Sequence, residues 1–229
     1  MTLRPIRTAF AAAFAGMIAL AVHAAPAPRP LPVVLTPVGG HLVGSPAAKI
    51  HLVEYMSYTC PHCAHFNADG MPPLVAGYIL PGKVSLEIRH LLRDPLDATA
   101  AQLTNCAPPA RFLALHEDML AEQDKWLTLA QQTTEDQRKR WETGDTPTRM
   151  RAIAADLHFY DIAARHGVDH AAADRCLASK ALSDRLVAQT QASAKAGIEG
   201  TPGFMIGDMA LAGTANWAVL KPQLDVRLP

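Results

Sequence analysis

The segment Cys60–Cys63, which reads Cys-Pro-His-Cys, follows directly on an apolar run with β-branched and aromatic members. This run, residues 49–57, predicts a buried strand. Proline at a first helical position predicts that a helix begins at Pro61, and we expect it to extend to about Asp69. Residues 84–90 alternate between apolar and polar side chains and predict a second strand. The first half of the fold is therefore a β-α-β unit with both cysteines at the start of its helix.

The following segment, residues 96–190, is rich in alanine, leucine, glutamine and arginine, which favour helices. Its breaks at Pro108-Pro109, Gly144–Pro147 and Gly167 predict about five or six helices. Residues 41–95 and 191–229 would then form one α/β domain, interrupted by an inserted all-helical domain.

Two short strands and a helix are predicted near the C-terminus. Residues 203–207 and 209–212 read as strands joined at Gly207-Asp208, a hairpin sequence. Residues 214–224 predict a final helix, with Thr214 as its candidate N-cap. The order after the insertion is therefore β-β-α.

The N-terminal residues 1–24 have the layout of a secretory signal peptide. Arg4 and Arg7 precede the uncharged apolar run 9–22, and the mature chain is expected to begin at Ala25. The run is shorter than the roughly 20 residues of a membrane-spanning helix; the alternative is a buried N-terminal helix. We expect export to the periplasm, where disulfides form and persist.

Residues 25–40 are rich in proline and predict an extended leader rather than a packed element. Charge adds little to this outline: Lys plus Arg and Asp plus Glu are 21 each, so no basic surplus indicates nucleic-acid binding.

The two cysteines at the helix start suit thiol–disulfide exchange. A thiolate is the attacking species, and unpaired N–H groups and the helix dipole favour an anion at a helix N-terminus. Cys60 is therefore the expected nucleophile. Cys63, one turn further, is the expected resolving thiol and should be less exposed. The intervening Pro61 and His62 tune the pair, His62 by donating to or charge-stabilising the Cys60 sulfur.

Metal binding is the alternative use of such a pair. Structural zinc usually needs a second cysteine or histidine pair, and covalent haem needs a histidine directly after the second cysteine, where this chain has Ala64. Copper(I) held by the two thiolates and His65 is a more plausible rival, because these are soft ligands. The exchange reaction itself requires no cofactor.

Two segments resemble the DsbA family of thiol–disulfide oxidoreductases. Residues 53–63 are similar to the family's active-site segment, and residues 200–204 are similar to its cis-proline segment. The resemblance implies a thioredoxin-like fold with a helical insertion. It also implies that Pro202 is cis and faces the cysteine pair, with Thr201 just before it; an ordinary trans turn is the alternative.

The same resemblance gives roles to three further residues. Glu54 would be the buried acid that relays a proton to or from the resolving cysteine; the alternative is a carboxylate at a strand end paired with a lysine. Cys106 and Cys176 match positions where some DsbA-like proteins carry a structural disulfide, and two separately buried thiols are the alternative.

The expected function is donation of the Cys60–Cys63 disulfide to newly exported proteins. The resemblance implies reoxidation by a membrane quinone-linked, DsbB-like partner, and we expect a monomer. A disulfide reductase or isomerase is the closest alternative, although DsbC-type isomerases carry an N-terminal dimerisation domain for which the short leader leaves no space. A copper(I) carrier is the alternative from another class.

Overall fold

The computed structural model describes residues 31–228. The predicted signal peptide, residues 1–24, lies outside them, as do residues 25–30 of the predicted leader. Within the described part, six strands form one sheet in the order β1-β2-β4-β3-β5-β6. They are β1 (Val33–Leu35), β2 (His41–Val43), β3 (Ile50–Met56), β4 (Val84–His90), β5 (Gly203–Ile206) and β6 (Met209–Ala210).

The centre of the sheet contains the predicted β-α-β unit. β3 and β4 are parallel over seven residue pairs, from Ile50↔Val84 to Met56↔His90. β5 runs antiparallel to β3 on its other side, with Tyr55 opposite Gly203. This pairing brings the segment before β5 to the end of β3, where the cysteines follow.

The predicted leader is partly wrong, because its last residues belong to the sheet. β1 pairs antiparallel with β2, and β2 pairs antiparallel with β4. Two backbone hydrogen bonds between Thr36 and the Gly39-Gly40 pair close the turn between these strands. Gly39 has φ +80°, which glycine adopts without strain. Three-residue strands carry too short an alternation for the sequence pattern to reveal them.

The helix that begins at Pro61 continues beyond its expected end at Asp69. It comprises α1 (Pro61–His65), a π-helical turn (66–70), α2 (Met71–Leu74) and a second π-helical turn (75–79). Pro72 and Pro73 do not end it, because they lie in the first turn of α2, where a missing N–H costs little.

The insertion has eight helices rather than five or six. They are α3 (Pro95–Thr104), α4 (Pro109–Ala121), α5 (Gln123–Gln131), α6 (Glu135–Glu142), α7 (Thr146–Asp156), α8 (Phe159–Arg165), α9 (His170–Leu177) and α10 (Lys180–Lys195). Side-chain caps at Thr134 and Ser179 start new helices without glycine or proline, so no break was predicted at these two positions. Within residues 31–228, no helix combines the length and apolar character needed to cross a bilayer.

The C-terminal hairpin forms as predicted, with Ile206 opposite Met209 and Gly207 at φ +56°. The last helix, α11 (Trp217–Asp225), is capped by Asn216, whose side-chain oxygen accepts from the Val219 N–H at 3.1 Å. Thr214 is therefore not the cap.

The two faces of β3 pack into different clusters. Leu52 and Met56 contact the large core that contains both active-site cysteines. Val53 and Tyr55 belong to a small cluster on the opposite face. Because side chains alternate along a strand, Glu54 shares the face of Leu52 and Met56 and is directed toward the helix that carries the cysteines.

Candidate active site

Cys60 lies at the N-terminal end of α1. It is the N-cap residue, with extended backbone angles of φ −92° and ψ 115°, and Pro61 occupies the first helical position. The carbonyl oxygen of Cys60 accepts from the N–H groups of Cys63 at 3.1 Å and Ala64 at 3.3 Å. The sulfur of Cys60 therefore lies at the N-terminus of α1, where the N–H of His62 has no acceptor within the helix.

The segment before β5 covers this sulfur. The Thr201-Pro202 peptide bond is cis, and the carbonyl oxygen of Thr201 lies 3.1 Å from the Cys60 sulfur. These residues are 141 positions apart in sequence, and the antiparallel pairing of β3 with β5 brings them together.

The pKa of Cys60 is lowered to about 4. The largest cause is a hydrogen bond from the Cys63 thiol, and the Thr201 side chain and the backbone N–H groups of Cys63 and His62 act in the same direction. Burial of the sulfur opposes this shift but does not cancel it. At neutral pH Cys60 is therefore a thiolate.

The pKa of Cys63 is strongly raised, first by burial, then by the hydrogen bond to Cys60 and by the negative charges of Glu54 and Cys60. Both sulfurs are free thiols in this structure. Both cysteines are buried, and Cys63, at 1% exposed, is slightly less exposed than Cys60, at 2%, as expected. The two cysteines differ far more in ionisation, and that difference suits Cys60 as nucleophile and Cys63 as resolving thiol.

Glu54 is 3% exposed, and burial raises its pKa to about 8, with a second contribution from the charge on Cys60. Among residues 31–228, no lysine or other cation lies within ion-pair distance of its carboxylate. The alternative of a lysine-paired strand end is therefore not seen. A buried carboxyl that is mostly protonated at neutral pH can give a proton to a leaving thiolate.

The His62 side chain is exposed, and it stacks edge-on against His65 with ring centroids 6.5 Å apart. Its imidazole is not among the groups that lower the pKa of Cys60; the backbone N–H of His62 is. His65 is likewise exposed. In the described range, no three His, Cys, Asp or Glu side chains form a group able to hold a metal ion, so His65 is not gathered with the two sulfurs as the copper(I) alternative requires.

A disulfide joins Cys106 and Cys176, whose Cα atoms are 6.0 Å apart. Cys106 lies just after α3, and Cys176 lies in the last turn of α9. Both are half-buried, and both belong to the helical insertion. This bond therefore ties helices of the insertion together.

The sequence pattern did not identify two residues at the site, Asp97 and Gln123. Both are buried side chains of the insertion, and both bond to the turn immediately before Cys60. Asp94 in an Asp-Pro sequence indicates the start of α3. The Asp-Pro pattern does not show that Asp97 bonds to a turn 39 residues earlier in the chain. An isolated glutamine likewise gives no sign that it bonds to the same turn.

Comparison with known proteins agrees with the fold. A family model described as Thioredoxin matches residues 36–226, so the chain belongs to the thioredoxin family. A protein-disulfide isomerase from Novosphingobium aromaticivorans is 47% identical, with a TM-score of 0.77 over 82% of this chain and 97% of that one. The alpha-DsbA1 of Wolbachia pipientis is 22% identical, covers 82% of this chain and 89% of its own, and has a TM-score of 0.65.

A curated protein of Rickettsia bellii, provisionally named a protein-disulfide oxidoreductase, is 27% identical over 180 residues, or 78% of this chain. The chain spans about 60% of that relative's length. The solved structures that share the fold thus include a DsbA protein, which confirms the resemblance and the thioredoxin-like fold inferred from the sequence.

Proposed function

We propose that this protein is an exported thiol–disulfide oxidoreductase that works as an oxidase, passing the Cys60–Cys63 disulfide to reduced client proteins. The difference between the two sulfurs carries the proposal: hydrogen bonds at the start of α1 lower the pKa of Cys60, whereas burial raises that of Cys63. A thiolate stabilised in the reduced protein makes the disulfide a stronger oxidant. With the pKa of Cys60 about 4, three units below neutral pH favour the reduced form by about 4 kcal/mol, or about 90 mV.

The reaction follows from the roles of the three buried groups. A client thiolate attacks the Cys60 sulfur, the Cys60–Cys63 bond breaks, and a mixed disulfide forms. Cys63 leaves as a thiolate and takes a proton, which the neighbouring Glu54 carboxyl can supply. A second client thiolate then attacks the client sulfur, so that Cys60 leaves as a thiolate and two electrons have passed to the protein.

Thr201 and Pro202 have a positioning role in this proposal. The Thr201 carbonyl lies 3.1 Å from the Cys60 sulfur, so the backbone next to Pro202 is close enough to pair with an extended client segment. The same proposal includes the periplasm as location, action as a monomer, and reoxidation by a quinone-linked, DsbB-like membrane protein. The family resemblance and the predicted signal peptide support these points.

Disulfide isomerisation is the second candidate, because the relative that is 47% identical is named a protein-disulfide isomerase. Isomerisation uses the same chemistry in another order. The Cys60 thiolate attacks a wrong client disulfide, and the protein then leaves either when a client thiol displaces it or when Cys63 resolves the mixed disulfide.

The redox potential of the purified mature protein against glutathione separates these readings, together with two assays. One is oxidation of reduced, unfolded ribonuclease, and the other is reactivation of scrambled ribonuclease. We expect a potential well above that of thioredoxin, about −270 mV, and fast oxidation of the reduced ribonuclease. Cys60→Ser should abolish both activities, while Cys63→Ser should retain client as a mixed disulfide on Cys60.

A potential near that of thioredoxin would refute the oxidase direction and favour a reductase. Efficient reactivation of scrambled ribonuclease with slow oxidation would favour the isomerase. Trapping of client on Cys106 in the Cys60→Ser variant would show that the nucleophile is misassigned.

A further inference from the structure

The side chain of Gln123, at the start of α5, holds the main chain of the nucleophilic cysteine. It is 2% exposed, and its amide nitrogen donates to the carbonyl oxygen of Tyr58 at 2.6 Å and to that of Cys60 at 3.0 Å. Both partners are acceptors only, so the amide nitrogen, and not the amide oxygen, must face them. The orientation of this amide is therefore fixed by its chemistry.

The N–H side of the same turn is held from α3. The Asp97 carboxylate accepts from the Tyr58 N–H at 2.7 Å and from the Ser57 hydroxyl at 2.7 Å. The peptide groups on both sides of Tyr58 are thus bonded to side chains of the helical insertion, and the turn has little freedom to rotate.

The orientation of the Cys60 carbonyl also affects the surroundings of the Cys60 sulfur, because this carbonyl is bonded to the first turn of α1. It accepts the first hydrogen bonds of α1, from the N–H groups of Cys63 and Ala64. The N–H groups of His62 and Cys63 also stabilise the Cys60 thiolate. If the Cys60 peptide rotates, these N–H groups no longer point at the sulfur in the same way.

We propose that Gln123 is a positioning residue for the exchange reaction: by binding the carbonyl groups of Tyr58 and Cys60, it keeps the Cys60 sulfur aligned with the N-terminus of α1. The inference rests on the proposed function only in taking Cys60 as the reactive thiol. In this proposal, a side chain of the helical insertion helps to set the reactivity of a cysteine in the α/β domain.

Gln123→Met tests this, because methionine is of similar length and has no N–H donor. The pH dependence of Cys60 alkylation by iodoacetamide gives the pKa of the thiol, and equilibration with glutathione gives the stability of the disulfide. We expect the pKa of Cys60 to rise by about one unit and the equilibrium to shift about tenfold toward the disulfide, which corresponds to about 30 mV.

Two controls separate positioning from general stability. Gln131→Met, at the exposed end of the same helix, should change neither quantity. Trp126→Phe removes the buried indole whose N–H donates to the Met119 carbonyl at 3.0 Å, so it should lower the melting temperature without moving the pKa of Cys60. If Trp126→Phe moves that pKa as far as Gln123→Met does, the role of Gln123 is structural only.

A folded Gln123→Met variant with unchanged pKa and unchanged glutathione equilibrium would overturn the proposal. If the variant does not fold, the wild-type protein still provides a test through the NMR signals of the Gln123 side-chain amide. The protons of this amide should exchange slowly with solvent, and their chemical shifts should change as the Cys60 thiol titrates. Chemical shifts that stay constant through this titration would also overturn the proposal. Neither readout needs a client, so failure of the oxidase assays would leave the inference standing.

Discussion

Replacing Glu54 by glutamine should stabilise the reduced protein at neutral pH and leave it unchanged in mild acid. Burial raises the pKa of Glu54 from 4.5 to about 8. Because the folded pKa is the higher one, the folded protein binds the proton more tightly. This contribution to stability is complete below pH 4.5 and is lost as the pH rises through about 8.

The size of the stability change follows from the difference between the two pKa values of Glu54, 4.5 and about 8. Each pH unit between the two pKa values costs about 1.4 kcal/mol, so wild-type protein loses about 3 kcal/mol between pH 4.5 and neutral pH. A glutamine of similar shape carries no such loss. Urea unfolding of reduced wild type and Glu54→Gln across this range should give a stability difference that grows steadily in favour of the variant.

Glu87, on the neighbouring strand β4, provides a matched control of opposite sign. It is 1% exposed and bonds to Arg89, Thr36 and His51. Although burial raises its pKa, the hydrogen bonds from Arg89 and Thr36 and the charge of Arg89 lower it below the ordinary value. Its contribution is therefore present above the unfolded-state pKa of 4.5 and lost as the pH falls.

Glu87→Gln should accordingly destabilise the protein at neutral pH, and the difference from wild type should shrink in acid. The reasoning is refuted if the stability difference between Glu54→Gln and wild type does not change with pH, or if it changes in the direction expected for Glu87.

Two further outcomes concern the insertion. The Cys106–Cys176 disulfide closes a loop of 70 residues. Substituting both cysteines with serine should lower the free energy of unfolding by about 4 kcal/mol in the chain-entropy model. A loss below about 1 kcal/mol in urea titrations would contradict this prediction. Burial lowers the pKa of His116 from 6.5 to about 3, so its contribution to stability is lost as the pH falls through that range. His116→Phe should therefore make the stability curve shallower by about 1.4 kcal/mol per pH unit, and an unchanged slope would exclude His116 as the source.

The local elements around the cysteines could be predicted because their causes are local. An apolar run, a proline at the first helical position and an alternating segment are enough to specify β3, the start of α1 and β4. The hairpin at Gly207 is specified in the same way by its turn residues. The position of Cys60 at a helix N-terminus, and with it the tendency to ionise, follows from a few adjacent residues.

The number of helices in the insertion was less predictable because some of them, such as α6 and α10, begin at side-chain caps without glycine or proline. Thr134 and Gln137 form a capping box, whose Thr-x-x-Gln pattern is present in the sequence but is a weaker break signal than glycine or proline, and Ser179 has no such partner. Strand β1 was not predicted because three residues are too few to show an alternating pattern. The strand forms through its pairing with β2.

The sequence by itself determined that a reactive cysteine pair begins a helix after a buried strand, and the family resemblance added Pro202 and Glu54. Only the tertiary structure decided what surrounds the sulfur of Cys60. The Thr201 carbonyl and the amide of Gln123 come from elements 141 and 63 residues away. Such contacts depend on strand order and on the packing of the insertion against the sheet, which no local pattern encodes.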